Sequence, residues 1–309
     1  MQAPAAGFTP YRTSGTTGGP VTWWRGRDQL DAEAELLAGL FADARPDLVV
    51  THAPPEHLFG HLMGVLVPRL LGVPATRLHL LDGLPADCAR PLIAAVPATW
   101  WALGHAARAL GRYERVEVVH STAPLPERAA AVCAAHERLR LTELHGSTET
   151  GLVGVRRGGA GAWELARDVT PVGPWLPGTE RRLSVSGPRL ARTAPDAALP
   201  DAFVLDDLVV PAGPRSYRLV GRRARLVKVN GRRVNADGVL NRLRAAVPGC
   251  RLSWTPVSDP VRGEWYEILA EDPATVPRVA HAVSTLLPPA ERPRRVRPAL
   301  MGDAEPPSR

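Results

Sequence analysis

Lysine is almost missing from this chain. Of its 38 basic residues only Lys228 is a lysine, and the rest are arginine. The net charge of +7 is therefore carried by planar, permanently charged guanidinium groups rather than by compact ammonium groups. The arginines are spread along the sequence and not gathered into a stripe, which argues against a nucleic-acid surface. A basic balance then fits a smaller anionic partner, such as a nucleotide or a phosphopantetheine carrier. Beside many alanines and 32 prolines, the arginine excess also matches GC-rich coding. Cysteine is scarce: Cys88, Cys133 and Cys250 are far apart and odd in number, so no disulfide framework or CxxC metal site is expected. They read as small buried hydrophobes in a reducing cytosol. No run of about eighteen apolar residues occurs, so no membrane-spanning helix is expected. The opening MQAPAAGFTPYRTSG has neither a basic start nor an apolar h-region, so a cytoplasmic location without a secretory signal is expected.

What is present is ordinary for a packed protein: 45% hydrophobic and 22% charged residues over 309 positions. That excludes disorder over the whole chain, and the length suits two domains or one large domain with a lobe. Helical spacing of apolar residues predicts a helix over Asp28 to Ala44. Further helices are expected from His57 to Leu71 (interrupted by Pro68), Trp100 to Leu110 and Glu127 to Leu139. Buried strands are expected at Asp47 to His52, Leu92 to Val96, Val116 to His120 and Leu141 to Leu144. Strands alternating with helices predict an α/β core of layered sheet and helices. After Gly151 short β-like pieces punctuated by Gly and Pro predict a smaller β-rich subdomain. From Gly221 a hairpin turning at Asn230-Gly231, a helix over Ala236 to Ala246, two strands and a helix over Val276 to Leu287 read as a small α+β lobe. The domains expected are 1–220 and 221–309, with a poorly ordered Pro/Arg-rich tail from Pro288.

Four segments carry candidate chemistry. TSGTTGGP (Thr13 to Pro20) combines Gly amides with hydroxyl side chains, a composition that cradles phosphate oxygens or simply makes a flexible turn. It is not a Walker loop. HGSTETG (His145 to Gly151) places a hydroxyl and a carboxylate where a strand ends, at the edge where α/β proteins bind ligands. Thr148 there suits a phosphate oxygen and Glu149 a divalent cation; alternatively the pair starts a helix. LDDLVV (Leu205 to Val210) puts Asp206-Asp207 among apolar strand residues, where an aspartate can accept two bonds from a ribose diol or be an ordinary turn acid. GRRARLVKVNGRRVN (Gly221 to Asn235) carries Arg222 and Lys228 around a predicted lobe boundary, as a functional hinge or as a solvated basic hairpin.

In this order and at these separations, the four segments resemble the adenylate-forming superfamily of acyl- and aryl-CoA synthetases, adenylation domains and luciferases. TSGTTGGP is similar to that family's phosphate loop, and APPEHLFG, with His57, to its His/aromatic motif. STAPLP (Ser121 to Pro126) resembles the segment lining the acyl and adenine pockets, and HGSTETG the adenine and magnesium motif. RLSVSGP resembles the segment before the ribose-binding aspartate, LDDLVV that aspartate at Asp207, and GRRARLVKVNGRRVN the hinge. The wording STETG also looks like acyl-CoA synthetase-like proteins of bacterial biosynthetic clusters. The resemblance implies a ligase that joins a carboxylic acid to ATP with Mg²⁺, then passes the acyl group to the thiol of CoA or a carrier protein, or to an amine. It further implies that Thr13, Ser14, Gly15, Thr16, Thr17 and Gly18 hold phosphates, that Thr148 and Glu149 serve phosphate and Mg²⁺, and that His145, with Gly146 and Ser147, lies against adenine. Asp207 and Arg222 would hold the ribose, His57 would flank the carboxylate pocket, and Lys228 would serve the second step or the hinge. No nucleic acid or membrane partner is implied.

Four departures accompany the matches. The section that usually precedes the phosphate loop is missing, which suggests a minimal enzyme or half of a split one completed by another chain. Val21 stands where the loop usually ends in a lysine, and Ala224 where the hinge usually has an aspartate. No lysine follows Lys228, although the family places a catalytic one near its C-terminus; losing such a donor typically costs about a hundredfold or more in rate. Arg295 and Arg297 are the candidate substitutes. A degraded nucleotide-binding relative and a transfer-only enzyme fed with a preformed adenylate are the alternatives to a full ligase.

Overall fold

The computed structural model describes residues 7–13, 21–126, 128–222, 226–229, 232–259 and 263–300. These divide into two compact units, one holding residues 7–13 and 22–222 and the other holding Val21 and the described residues from 226 onward.

The first unit opens with the two-stranded sheet β1 (Phe8–Thr13) and β2 (Val21–Gly26), which continues directly into helix α1 (Arg27–Phe41). Leu30, Ala34, Leu37, Ala38 and Phe41 recur at helical spacing and are buried, so α1 lays one apolar face on the sheet. Strand β3 (Leu48–Thr51) comes next, then a helical stretch made of α2 (Leu58–His61), a π-helical turn at Leu62–Leu66 and α3 (Val67–Leu71). Pro68 does not break this stretch. It has no N–H to donate back to Gly64 and its ring crowds that carbonyl, and the wider π turn just upstream accommodates it.

Strands β4 (Ala75–Arg77), β5 (Pro91–Ala95) and β6 (Val116–His120) alternate with α4 (Pro97–His105), α5 (Ala107–Leu110) and α6 (Arg128–Ala135), leading to β7 (Leu139–Ser147). β4, β3, β5, β6 and β7 pair in parallel. Their side chains alternate between two cores. Val49, Leu92, Ala94 and Val119 join α1 and α3 on one face, while Val50, Ile93, Ala95 and Val118 join Trp100, Leu103 and Ala129 on the other. Burial on both faces is what near-continuous apolar runs such as LVVT and PLIAA encode.

At Thr148–Thr150 the chain turns back on itself. β8 (Gly151–Arg157) pairs antiparallel with β7, and β9 (Trp163–Leu165), β10 (Thr170–Pro171), β11 (Arg181–Ser186), β12 (Phe203–Gly213) and β13 (Ser216–Arg222) extend the same sheet in the order β10-β11-β12-β13-β9-β8-β7-β6-β5-β3-β4. The β-rich region expected as a subdomain is thus the antiparallel half of one eleven-stranded sheet among the described residues. Tight antiparallel reversal at the turn lets β8 add to β7 without a crossover helix.

The second unit contains the hairpin β14 (Leu226–Val229) and β15 (Arg232–Asn235), helix α7 (Ala236–Ala246), strands β16 (Leu252–Asp259) and β17 (Gly263–Ala270), helix α8 (Val276–Leu286) and β18 (Val296–Pro298). Its own core gathers Val239, Leu243, Trp254, Ile268, Val279 and Val283. The tail expected to be poorly ordered instead supplies β18, which pairs parallel with β17. The reason is a buried carboxylate. Glu267 accepts 2.7 Å bonds from both Arg295 Nε and Arg297 Nε, so the arginines of the tail fasten it to the sheet. No helix among the described residues is long and apolar enough to cross a membrane.

Candidate active site

The turn between β7 and β8 is built by small and hydroxyl residues. Ser147 N donates to Thr150 Oγ1 at 3.2 Å, Thr150 N donates to Ser147 Oγ at 3.3 Å, and the two hydroxyls lie 3.1 Å apart. Ser147 therefore serves the turn, where a nucleotide contact was one sequence expectation. Gly146 is required by closeness, because a Cβ there would sit 2.1 Å from the Gly151 carbonyl oxygen. Gly151 is required twice over: its φ is +68°, and a Cβ would lie 2.3 Å from Glu33 Oε2. The alternative in which Thr148 and Glu149 start a helix does not occur; they occupy a hairpin turn.

This turn is fastened to the strand just after the Gly/Thr loop. Arg25, in β2, is fully buried; its Nη1 donates to the Thr148 carbonyl at 3.1 Å and its Nη2 to Glu33 Oε2 at 2.7 Å. Burial pulls the Arg25 guanidinium below its ordinary pKa, against the Glu33 carboxylate, which supports the charge. The other flank of the loop is fastened as well. Tyr11 of β1 is buried, and its hydroxyl lies 2.5 Å from Nδ1 of His61, in the helix that His57 caps. Burial holds the His61 imidazole below its usual pKa, so it stays neutral and can accept from the phenol. The strands on either side of residues 14–20 are thereby tied to the Ser-Thr-Glu turn and to the helix that His57 caps. Ser14, Gly15, Thr16, Thr17 and Gly18 themselves lie outside the described residues. Thr13, at the end of β1, accepts a 3.2 Å bond from Trp23 Nε1.

His57 sits at the N-cap of α2 in extended conformation, with its N–H on the Pro54 carbonyl at 3.1 Å. Gly60 permits that tight entry, since a Cβ there would fall 1.9 Å from the Pro54 oxygen.

His145 and Asp207 come together, although 62 positions separate them in sequence numbering and they belong to β7 and β12. His145 Nε2 lies 3.6 Å from Asp207 Oδ2, and its Nδ1 lies 2.6 Å from the Tyr217 hydroxyl. Burial, then the nearby Asp207 charge, raises the Tyr217 phenol far above its ordinary pKa. The phenol keeps its proton and lies within hydrogen-bond distance of Nδ1, while Nε2 faces the carboxylate. The His145 ring packs on Trp163 and Tyr217 at centroid distances of 5.5 and 5.7 Å and is only 9% exposed. An adenine contact there would have to use what remains of the ring edge. Asp207 lies on the buried face of β12 between Leu205 and Val209, and its backbone is in register with Arg222 of β13. A carboxylate among apolar neighbours is costly unless partners hold it, which marks the position.

Lys228 belongs to β14, in register with Arg233, in the second unit. Ala224 lies outside the described residues. Arg295 and Arg297, the candidate substitutes for the absent lysine, are engaged by Glu267. No group of three or more His, Cys, Asp and Glu side chains is gathered among the described residues. A Mg²⁺ that arrives with phosphates needs only one or two carboxylates, so Glu149, 7% exposed in the turn, fits that use.

Sequence reasoning missed Arg25, Glu33, Arg189, Tyr217 and Trp163. One signal was available for Glu33: it falls on the apolar stripe of α1 with Leu30 and Leu37, where a charge needs a buried partner.

Comparison with known proteins decides the lineage. The chain is 30% identical over 246 residues to a 4-coumarate–CoA ligase of Rhodobacter capsulatus, covering 76% of this chain and 57% of the relative. The chain belongs to the adenylate-forming superfamily. A second 4-coumarate–CoA ligase, from Halorhodospira halophila, is 28% identical over 248 residues, or 78% of this chain and 58% of the relative. The chain thus spans under three fifths of the length of these curated relatives. Among solved structures it is similar to a malonyl-CoA ligase complex with methylmalonyl-CoA and AMP bound, at TM-score 0.72 and 25% identity, over 99% of this chain and 74% of that one. An amide bond synthetase from Marinactinospora thermotolerans shares the adenylate-forming fold at TM-score 0.72 and 19% identity, over 97% of this chain and 66% of that one. No family profile matches.

Proposed function

We propose that the protein is an AMP-forming ligase. It activates a carboxylic acid with ATP and passes the acyl group to a thiol, of CoA or a carrier protein, or to an amine, as a step in a biosynthetic pathway. The observation that carries this is the bond from Arg25, just after the Gly/Thr loop, to the Thr148 carbonyl of the Ser-Thr-Glu turn. The bond ties the strand that follows one candidate phosphate segment to the turn that carries the other, and so supports a shared site. The named CoA ligases and the AMP-bound neighbour support the same reading.

In the first step a carboxylate oxygen bonds to the α-phosphorus, the bond to the bridging oxygen breaks, and pyrophosphate leaves. The chain's contribution is alignment and charge neutralisation. Thr13, Ser14, Gly15, Thr16, Thr17 and Gly18 would bind phosphate oxygens; Thr148 would donate to one more, and Glu149 would hold Mg²⁺. Bound there, Mg²⁺ would neutralise developing phosphate charge. Asp207, with Arg222 in register, would accept from the ribose hydroxyls, and His145, beside Tyr217, would border the base with Gly146 and Ser147. His57 would flank the acid. In the second step the nucleophile attacks the acyl carbon and AMP departs, with Lys228 serving the transfer or the hinge.

A specific observation favours a second reading. Val21 replaces a phosphate-loop lysine, no lysine follows Lys228, and both candidate arginines are held by Glu267. A protein that uses a preformed adenylate and performs only the transfer would have this pattern. Acid-dependent ATP–pyrophosphate exchange across a panel of aryl and acyl acids separates the two. Exchange with at least one acid supports the full ligase. AMP release from a supplied acyl-AMP without exchange supports transfer only, and neither activity rejects both.

A further inference from the structure

We propose that Arg25 is a positioning residue, whose buried guanidinium sets the Ser-Thr-Glu turn in the geometry that nucleotide binding requires. The proposal rests on the nucleotide reading above.

A hairpin turn needs no outside help to exist; its own Ser147–Thr150 bonds close it. Here the backbone of the turn and of the strand after it is held from elsewhere. At its first residue, the Thr148 carbonyl accepts from Arg25 Nη1 at 3.1 Å. After it, Leu152 N donates to Glu33 Oε1 and the Leu152 carbonyl accepts from Arg189 Nη2, both at 2.7 Å. Within it, the Glu149 carbonyl accepts from Ala191 N at 2.7 Å. Glu33 joins the two arginines: Oε2 lies 2.7 Å from Arg25 Nη2 and 3.5 Å from Arg189 Nη1. Asp168 closes the chain on Arg189 Nε at 2.6 Å. Gly151 leaves the space these groups fill.

Both guanidiniums are at most 2% exposed, and Arg25 Nε has no hydrogen-bond partner among the described residues. Burying charge at such expense is weak evidence for stability, since apolar residues of similar volume often do as well. What the fork provides is direction. One planar group reaches the helix α1 carboxylate and the turn carbonyl at once, fixing the angle between the strand leaving the phosphate loop and the residues Thr148 and Glu149. A lysine keeps the charge but cannot make both bonds in that fixed geometry.

The test measures ATP·Mg²⁺ affinity by calorimetry, melting temperature, and the KM for ATP beside that for acid in exchange. It compares wild type, Arg25→Lys, Arg25→Met and Asp47→Ala. Asp47 accepts from Ala89 N and Arg90 N at the opposite edge of the sheet and reports stability loss alone. Arg25→Lys is expected to weaken ATP affinity roughly tenfold or more, as loss of supporting-shell partners does, with KM for ATP raised and KM for acid little changed. Asp47→Ala is expected to lower the melting temperature while ATP affinity stays within about twofold. If Arg25→Met fails to fold, Arg25→Lys, assayed below its melting temperature, carries the test. ATP affinity unchanged in folded Arg25→Lys, or falling only as far as in Asp47→Ala, overturns the positioning role. Wild type that binds no ATP removes the nucleotide reading instead.

Discussion

Each unit has a cluster of arginines on a buried glutamate, and the two differ in what they fasten. In the first unit Arg25, Glu33 and Arg189 are all at most 3% exposed and grip the backbone at the start of a turn and just after it. In the second, Glu267 is equally buried, but Arg295 is 63% exposed and the cluster pins a terminal strand. The same ion-pair chemistry is dry and centred on a candidate site in one unit, and wet on one side and peripheral in the other. A guanidinium–carboxylate pair therefore signals nothing by itself; what its remaining donors hold decides its meaning. The contrast also bears on the absent lysine, because the arginines nearest the C-terminal strand already serve as struts.

The sharpest way to break this comparison is to remove the shared carboxylate. Glu33→Gln leaves Arg25 and Arg189 buried without their common partner and is expected to cost about 3–5 kcal/mol in denaturant unfolding. Next in size is Gly151→Ala. It forces a side chain into positive φ, a strain of about 1–3 kcal/mol, and against Glu33, so stability and ATP binding should fall together. Glu267→Gln should cost less, about 1 kcal/mol, because Arg295 can turn to water. A loss equal to that of Glu33→Gln would erase the contrast. Burial pushes the Glu267 carboxyl up, but the bonds from Arg297 and Arg295 outweigh it and hold it below its ordinary value. The support from Glu267 is therefore present above the ordinary carboxylate range and lost as pH falls below it.

The smallest expected effect is a gentle pH slope in the first unit. Burial holds the His52 and His61 imidazoles below their ordinary 6.5. The unfolded chain then takes up protons first, so stability should be full above about pH 6.5 and decline below it. His52→Gln should flatten the decline in melting temperature between pH 7 and 5; an unaltered profile would remove His52 from the account.

Much of the parallel half was legible in the sequence, because strands buried on both faces read as apolar runs and α1 shows its stripe. The fate of the chain after Gly151 was not. Short strands look alike whether they form a separate subdomain or extend a sheet, and only the antiparallel pairing of Leu144 with Val155 and its neighbours decides it. The tail was misread for a related reason: RPRRVRP looks like a solvated run until Glu267, nearly thirty residues earlier, is placed beneath it. Among candidate site residues, Asp207 was reached through the resemblance, since the Asp206-Asp207 pair by itself also suits a turn acid; the structure puts Asp207 on the buried face of β12. Arg25 and Arg189 could not be singled out, since neither interrupts a periodic pattern and their partners are set by tertiary contact alone.

The claim that the Ser-Thr-Glu turn is a nucleotide site is tested most directly by calorimetric titration of ATP with and without Mg²⁺, on wild type and Glu149→Gln. The account predicts that Mg²⁺ strengthens ATP binding to wild type and that this strengthening disappears in the variant while the fold is retained. Equal Mg²⁺ dependence in the two proteins would contradict it.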